Sequence, residues 1–353
     1  MSYQGQLQNR VKAYRLQRGW SQEELAQQAG ISRAAVSAIE VQRLVPSVAA
    51  AIALATVFVC RVEDLFDTPS SDGHEPIWAW PPTQETCRYW HARVGGRHIH
   101  FPVESTVAGV IPHDGIFENR SLKPSAEALA EYTLVMASCD PAAGLLASEF
   151  ARTSGFRLLV LHRSSGQALD LLRRGMVDVA GIHLATKKKE AGNAIAAKSV
   201  LGTGYALLKV ATWQEGLAIG SRVSASSIQS LLRSGLRWVG REVGSGARQC
   251  QDELLQDRPQ PRRSAKDHRG VAEAIRCGWA DVGVCVRLAC EEAGLKFLKI
   301  RDEVYDFCFA TGLESDPRLR ALIQVVRSSN FRKCVSELPG YDCRSGGDML
   351  PIA

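Results

Sequence analysis

Residues 20–40 contain start and stop signals for two short helices joined at a glycine. Ser21 is followed three residues later by Glu24, the capping-box spacing in which a hydroxyl and a carboxylate satisfy free amides of the first turn. Gly30 can adopt the left-handed conformation that ends a helix, and Ser32 can cap a second helix. Val36 and Ile39 then fall on one face at helical spacing. The segment therefore predicts two helices packed across a tight turn.

The second of these helices has the character of a DNA-contacting helix. Four of its residues point outward near its first turns, where a recognition helix meets the major groove: Arg33, Ala34, Ser37 and Ala38. Residues 1–43 carry six arginine or lysine residues against three glutamates, a local basic surplus that suits phosphate neutralisation. An ordinary helical hairpin would show the same caps and turn, so the residues alone leave both interpretations open.

The segment from about Asn9 to Asp67 resembles the XRE (Cro/C1-type) helix-turn-helix domain. The resemblance rests on Arg15, Ser21, Gln22, Leu25, Ala26, Gly30, Ile31, Ser32, Val36, Ile39, Glu40, Pro46 and Leu54. It implies that Gln22 and Arg43 contact backbone phosphates. It also implies a base-contacting face made of Ser32, Arg33, Ala34, Ser37 and Ala38. The family usually has Asn-Gly after the Ile-Glu pair, where this chain has Val41 and Gln42, so we expect the next turn to differ in shape.

Composition bounds the rest of the chain. At 353 residues and 45% hydrophobic content, the chain is long enough for two or three globular domains. No apolar run approaches the length of a membrane span, and we expect a cytoplasmic protein whose ten cysteines are reduced. No C-x-x-C pair, G-x-S-x-G or dinucleotide fingerprint occurs. We therefore expect no catalysis, no metal and no cofactor.

We predict four segments along the chain. Residues 1–67 form the helix-turn-helix domain, residues 68–130 a linker and small β-hairpin module, residues 131–345 an effector domain, and residues 346–353 a tail. Residues 67–73 have linker composition. Residues 87–103 alternate about Gly95 and Gly96, which predicts a hairpin, and residues 107–111 could add a third strand.

From about residue 131 the chain alternates between strands and helices, which predicts a parallel α/β architecture. We expect strands over residues 132–137, 157–161, 177–182, 237–240, 282–286 and 304–309. The motif GMVDVAG at residues 175–181 recurs as GWADVGV at 278–284, each time after an amphipathic helix, at residues 167–174 and 270–277. Two such units indicate two α/β lobes with a ligand cleft between them.

Residues 134–341 resemble the two-lobed periplasmic-binding-protein-like (type II) domain, in the form found behind helix-turn-helix domains and related to molybdate-binding proteins. The matching motifs are ASCD (137–140), GIHL (181–184), WQEGL (213–217), VGSGAR (243–248), GWADVG (278–283), VYD (304–306) and PGYD (339–342). The predicted fold class is thus multidomain, with an all-α helix-turn-helix domain, a small β connector and a two-lobed α/β domain.

Loops that end the predicted strands supply the candidate ligand site. Hydroxyls and free amides at residues 138–140, 164–166 and 244–248 would face one cleft and suit an anion, with an arginine available to pair with its charge. The candidate residues, several of them assigned through the resemblance, are Ser138, Cys139, Asp140, Ser164, Ser165, His183, Ser245, Gly246, Arg248, Asp281 and Tyr305. Asp140 and Asp306 would repel an anion unless they are turned away, hold Arg248, or accept from an amine on the ligand.

These expectations combine into a ligand-responsive regulator that binds double-stranded operator DNA as a homodimer and senses a small anionic effector. The resemblance names molybdate or tungstate as candidates, and a small organic acid or amino-acid-like metabolite is the alternative. An enzyme or storage protein that uses the helical domain only for interaction is the alternative of another class.

Overall fold

The computed structural model describes residues 8–67, 76–106, 109–125, 129–186, 191–224, 227–256 and 258–352. The chain divides into two compact units, residues 1–75 and residues 76–353. The predicted linker, apart from Asp67, lies outside the described residues. Within the described ranges, no helix is both long and apolar enough to cross a membrane.

The first unit is a small helical bundle. Its helices are α1 (Val11–Gln17), α2 (Gln22–Ala29), α3 (Arg33–Glu40), α4 (Val48–Phe58) and α5 (Val62–Leu65), and two short antiparallel strands, β1 (Gln8–Asn9) and β2 (Phe66–Asp67), close it. Its core is formed by completely or almost completely buried apolar side chains, including Val11, Leu25, Val36, Ile39, Leu54 and Phe58.

The predicted helix signals in this unit are confirmed. Ser21 caps α2 in a capping box with Glu24, Gly30 ends that helix in the left-handed conformation at φ 63°, and Ser32 caps α3. The expected difference in the shape of the turn after α3 stays a prediction. Gln42 stands where the family usually has glycine and has a positive φ of 60°, the left-handed conformation that glycine adopts readily.

The second unit begins with an antiparallel sheet of four strands. They are β3 (Cys87–Val94), β4 (Arg97–Pro102), β5 (Gly115–Glu118) and β6 (Ser121–Pro124), in the order β4-β3-β5-β6. The predicted hairpin about Gly95 and Gly96 is confirmed. The predicted third strand at 107–111 is wrong for its described part, where only an isolated bridge joins Thr106 to Gly109, and the third strand lies at β5 instead.

A single ten-stranded sheet runs through the remainder of this unit. Its strands are β7 (Thr133–Ser138), β8 (Arg157–His162), β9 (Val179–Thr186), β10 (Tyr205–Ile219), β11 (Trp238–Arg241), β12 (Arg263–Ala265), β13 (Val282–Val286), β14 (Lys296–Ala310), β15 (Tyr341–Asp342) and β16 (Met349–Ile352). The main order is β12-β11-β13-β10-β14-β9-β7-β8, with β15 and β16 also pairing with β10. Residues 346–353, predicted as a tail, thus include a strand of the sheet.

Two long strands connect the lobes. β10 and β14 are 15 residues each and pair antiparallel along their length. The first half of β10 lies with the parallel group β7, β8 and β9, and its last five residues pair with β13 of the parallel group β11, β12 and β13. The two-lobed fold class is confirmed, and each lobe directs the carboxyl ends of its parallel strands toward the other.

Helices cover both groups of strands. They are α6 (Ala143–Ser154), α7 (Ser165–Arg173), α8 (Gly192–Leu201), α9 (Ile228–Arg233), α10 (Gly246–Leu255), α11 (His268–Arg276), α12 (Arg287–Glu292), α13 (Pro317–Arg327) and α14 (Ser329–Ser336), with short 3₁₀ helices at Ala130–Tyr132 and Thr311–Leu313. Trp90 and Phe101 of the small sheet pack in one core with Val135, Leu159 and Leu169 of the first lobe. The hairpin module is therefore built into the α/β unit.

Candidate functional sites

The proposed DNA-contacting residues lie in α3, next to its two ends and at the start of α2. Ser32, Arg33 and Ala34 are exposed at the start of α3, Ser37 and Ala38 are half-buried one turn later, and Arg43 is exposed after the helix. Gln22 is held by its Nε2, which donates to Glu40 Oε2 at 2.9 Å. The same carboxylate accepts two hydrogen bonds from Arg15 of α1. Glu40, the last residue of α3, therefore links α1, α2 and α3.

In the second unit, a cavity of about 730 Å³ lies between the two lobes. Its lining includes Cys139, Pro141, His162, Arg163 and Gln167 from the first lobe and Glu242, Lys266, Asp267, His268 and Arg269 from the second, with Trp80, Glu104, Ser105 and Thr106 from the preceding module. The lobes touch beside it: Gly166 N donates to Gly244 O at 3.0 Å.

Arg241 is the least expected group next to this cavity. It ends β11, immediately before the lining residue Glu242, and is 1% exposed. Its Nη2 donates to Lys266 O at 3.4 Å, whereas Nε and Nη1 have no hydrogen-bond partner among the described residues. A buried guanidinium without a carboxylate partner is unfavourable unless an anion compensates it.

Three further buried polar atoms lie in the same region without hydrogen-bond partners among the described residues: Ser164 Oγ, His268 Nε2 and His162 Nε2, the last 3.5 Å from Asp267 Oδ2. His268 Nδ1 accepts from Val286 N at 3.3 Å, which places the ring proton of the neutral histidine on Nε2. Burial, with Arg241 nearby, lowers the pKa of His268 well below its usual value, so the ring is neutral. His268 therefore offers one N–H donor.

The sequence-predicted residues are distributed between the cavity wall and a buried network behind it. Ser138 Oγ lies 2.6 Å from Tyr305 Oη, and Cys139 Sγ lies 3.0 Å from His183 Nε2. Ser165 Oγ accepts from His183 N at 3.1 Å. All five are buried. The structure thus brings these candidates together, mostly in contact with one another.

The candidates of the second lobe are placed differently. Ser245 caps α10 by accepting from Arg248 N, and its own hydroxyl donates to Glu242 O. A Cβ on Gly246 would overlap the carbonyl of His183, so glycine allows α10 to approach the first lobe closely. Arg248, the predicted partner for an anion, donates from Nε to Asp252 at 2.8 Å.

Asp281 is not brought to the cluster. It precedes β13, at the end of that strand opposite to the cavity, and its carboxylate pairs with Arg237 at 2.8 Å. The predicted ligand contact at Asp281 is therefore corrected: its matching motif marks a turn that enters a strand.

The acidic residues that complicated the anion hypothesis are turned into internal hydrogen bonds. Asp140 Oδ1 accepts from Tyr341 Oη at 2.6 Å and from Ala142 N at 2.9 Å. Asp306 Oδ2 accepts from Asn193 Nδ2 at 2.7 Å. Burial raises the pKa of Asp140 and raises that of Asp306 to about 6.

A charged network lies where the long strands cross between lobes. His183 Nδ1 is 2.8 Å from Glu303 Oε2, and Arg301 donates to Glu303 at 2.6 Å and to Glu215 at 2.9 Å. Burial and the adjacent Glu303 raise the pKa of Glu215 well above its usual value. Although burial opposes ionisation of Glu303, His183 and Arg301 lower its pKa to about 2.

Sequence reasoning missed Arg241, His268 and Glu303. A signal existed for Arg241, a charged residue at the carboxyl end of an apolar strand and just before a glycine-rich turn. His268 follows Asp267, the N-cap of α11, which resembles an ordinary helix start.

The fold and cleft define a two-lobed binding domain behind a helix-turn-helix domain. A PBP superfamily domain model matches residues 147–327 and a helix-turn-helix model matches residues 11–65. The chain belongs to the PBP superfamily and carries an N-terminal helix-turn-helix domain.

Similar proteins share either part of this architecture. The uncharacterized protein YvgK of Bacillus subtilis strain 168 is 26% identical over 199 residues, 54% of this chain and 64% of that protein, so the chain aligns with less than two thirds of this relative. The uncharacterized HTH-type transcriptional regulator YgzD of the same organism is 38% identical over 60 residues, 17% of this chain and 91% of the relative. The solved tungstate ABC transporter structure from Geobacter sulfurreducens has a TM-score of 0.45 and 18% identity, covering 59% of this chain and 99% of that one.

Proposed function

We propose that this chain is a ligand-responsive transcription regulator that binds operator DNA through α2 and α3 and senses a small anion in the interlobe cleft. It would act in the cytoplasm, as a homodimer whose paired α3 helices contact half-sites about one helical turn apart. It would have no enzymatic activity of its own. The observation that carries the anion is the buried guanidinium of Arg241, which lacks a carboxylate partner among the described residues.

The donors beside the cavity support an oxyanion or carboxylate. Arg241 offers Nε and Nη1, His268 offers Nε2–H and Ser164 offers a hydroxyl, all buried and all without another acceptor in the described structure. Anions held by such buried donors gain charge-assisted hydrogen bonds that water does not compete for. A ligand with several acceptor oxygens fits this set.

The positions of the carboxylates relative to the cavity bear on the chemistry of its ligand. Neither Asp140 nor Asp306 is among the residues that line the interlobe cavity. Asp140 accepts from Tyr341, and Asp306 accepts from Asn193 and lines a separate cavity. Glu104, Glu242 and Asp267 do line the cavity and could accept from a ligand amine, so an amino-acid-like metabolite stays an alternative. Molybdate and tungstate remain the candidates suggested by the resemblance of residues 134–341, and small organic acids such as oxalate and malonate are the alternative.

Binding would act on DNA through the lobes. An anion that contacts donors of both lobes stabilises the closed state relative to an open one, and only such differential affinity can shift the equilibrium. Closure would then change the spacing or orientation of the two helix-turn-helix domains in the dimer.

A thermal-shift screen of the full chain tests the ligand. The panel is molybdate, tungstate, phosphate, sulfate, oxalate and malonate, and a matching anion should add about 2.7 kcal/mol of stability at a hundredfold excess over its Kd. Ser164→Ala should reduce that shift because it removes a free hydroxyl. Ser245→Ala is the matched control, since that hydroxyl caps α10 and should change the melting temperature without changing the shift. Equal loss of the shift in both variants would contradict this placement of the ligand.

Band-shift titrations with genomic DNA fragments test the other half of the proposal. Failure to retain any fragment with or without the stabilising anion would favour the alternative, an enzyme or storage protein in which the helical domain serves for interaction.

A further inference from the structure

Cys139, His183 and Glu303 form a continuous chain of contacts. The sulfur of Cys139 lies 3.0 Å from His183 Nε2, and His183 Nδ1 lies 2.8 Å from Glu303 Oε2. The three come from three different strands or strand ends, so only the folded sheet joins them. Nucleophile, imidazole and carboxylate in this order are the arrangement by which proteins activate a thiol or hydroxyl.

Further contacts fix the orientation of the chain. Glu303 Oε2 also accepts from Trp213 Nε1 at 3.1 Å, and Glu303 Oε1 accepts from Arg301 at 2.6 Å. Although burial opposes it, the neighbouring Cys139 and Glu303 raise the pKa of His183 well above its usual value. A protonated His183 donates from Nδ1 to the carboxylate and from Nε2 to the sulfur.

His268 completes the surroundings of the sulfur. One ring nitrogen of His268, one of His183 and Cys139 Sγ all lie within 4.8 Å of one another. Such a Cys-His-His group could hold a soft metal ion only if His268 presented a lone pair. Its Nδ1 accepts from Val286 N, however, so Nε2 carries the proton and is a donor. This tautomer favours hydrogen bonding to an oxygen near the sulfur over metal coordination.

We propose that Cys139 is a peroxide-reactive thiol, with His183 as its proton donor and Glu303 as the residue that positions His183. The thiolate sulfur of Cys139 attacks the distal, hydroxyl-bearing oxygen of a hydroperoxide, an S–O bond forms and the O–O bond breaks. The leaving oxygen takes the electron pair of that bond and the proton from His183 Nε2, and departs as water or an alcohol. Cys139 becomes a sulfenic acid, oxidised by two electrons, and the peroxide is reduced by two.

The burial of Cys139 restricts the size of the oxidant that can reach its sulfur. Cys139 is 1% exposed yet lines the 730 Å³ cavity, so a small neutral hydroperoxide can reach the sulfur whereas bulky electrophiles cannot. His268 also lines the cavity and offers its Nε2–H to the peroxide oxygen. The reaction requires neither DNA nor an anion, so its test is independent of the proposed regulator function.

The experiment exposes the reduced full chain to equimolar hydrogen peroxide with dimedone as the sulfenic-acid trap. Peptide mass spectrometry then compares labelling at all ten cysteines. Cys139 should be labelled about tenfold faster than the exposed Cys277, since positioned proton transfer contributes at least that much. Labelling that follows exposure, with Cys277 first and Cys139 last, would overturn the proposal without any variant being needed.

Variants separate activation from mere structure. His183→Gln should reduce labelling of Cys139 to about the level of Cys277, and His98→Gln, an exposed histidine of β4, is the matched control that should leave it unchanged. Glu303→Gln should move the alkaline fall in the Cys139 labelling rate to lower pH, because His183 then loses its proton more readily. An unmoved pH profile in Glu303→Gln would contradict the positioning role.

The same labelling assay distinguishes a peroxide-reactive thiol from a metal site. Equimolar zinc should leave the rate of Cys139 labelling unchanged. Stoichiometric zinc binding that protects Cys139 and disappears in Cys139→Ser would show the cluster to be a metal site and would overturn the proposal.

Discussion

Replacing Arg241 with methionine should have opposite effects on the stability of the ligand-free chain and on anion binding. The guanidinium is 1% exposed, and two of its three nitrogens lack partners among the described residues. In the ligand-free chain, a single hydrogen bond therefore compensates the free-energy cost of removing this charge from water. An apolar side chain of similar length should leave the free energy of unfolding unchanged or raise it by about 1–4 kcal/mol, as when other buried charges are replaced.

The effect on binding follows from the same geometry. Losing a buried charged partner costs about 2–5 kcal/mol, which corresponds to a roughly 30-fold to several-thousand-fold weaker Kd. Urea unfolding followed by tryptophan fluorescence measures the first quantity. Calorimetric titration with whichever of molybdate, tungstate, phosphate, sulfate, oxalate or malonate stabilises the wild-type chain measures the second.

Arg248→Met is the matched control. That guanidinium is one quarter exposed and pairs with Asp252 one helical turn away, so its removal should change either quantity by less than about 1 kcal/mol. If Arg241→Met instead destabilised the ligand-free chain by several kcal/mol while leaving Kd unchanged, Arg241 would be a structural residue and the anion hypothesis would lose its main support.

Three further predictions concern other parts of the chain. Arg33→Ala should weaken binding to cognate operator by about 1–3 kcal/mol and relax discrimination, whereas Arg43→Ala should weaken cognate and random DNA alike; equal losses for Arg33→Ala in band shifts at fixed salt would place it among backbone contacts. Val59 ends α4 and is a β-branched residue at φ 52°, so Val59→Gly should raise the free energy of unfolding by about 1 kcal/mol. Gly30→Ala, at φ 63°, is the control that should lower it. An unchanged urea midpoint in Val59→Gly would refute the strain argument. Burial lowers the pKa of His100 to about 4, so the stability that its neutral form contributes is present above about pH 6.5 and is lost as the pH falls toward 4; His100→Gln should remove up to about 3 kcal/mol of that pH dependence, and parallel stability curves for the two proteins would exclude it.

Local signals predicted the first unit well. Ser21, Gly30 and Ser32 act through hydrogen bonds and backbone angles within a few residues of themselves, so their consequences are readable in order along the chain. The hairpin about Gly95 and Gly96 was predictable for the same reason. Most strands of the α/β unit were found because apolar runs and helical periods alternate there.

Strands that depend on partners distant in sequence were not predicted by local signals. β14 was predicted only over its apolar end, because residues 296–303 (KFLKIRDE) are mostly charged and show neither strict alternation nor an apolar run. They gain their strand partner from β10, about 80 residues earlier. The whole of β10 escaped prediction as a strand. Its 15 residues pair with strands of both lobes, and no local hydrophobic periodicity indicates such a strand.

The sequence by itself determined that this chain has a helix-turn-helix domain and a two-lobed α/β domain with polar loops at the strand ends, since caps, turns and periodicity are local properties. Only the tertiary structure decided which polar residues meet. It paired Arg248 with Asp252, turned Asp140 and Asp306 away, and left Arg241 buried beside the cleft. Hydrogen-bond partners and burial depend on neighbours that are distant in sequence, so the charge that faces a ligand is known only once every other charge has found its partner.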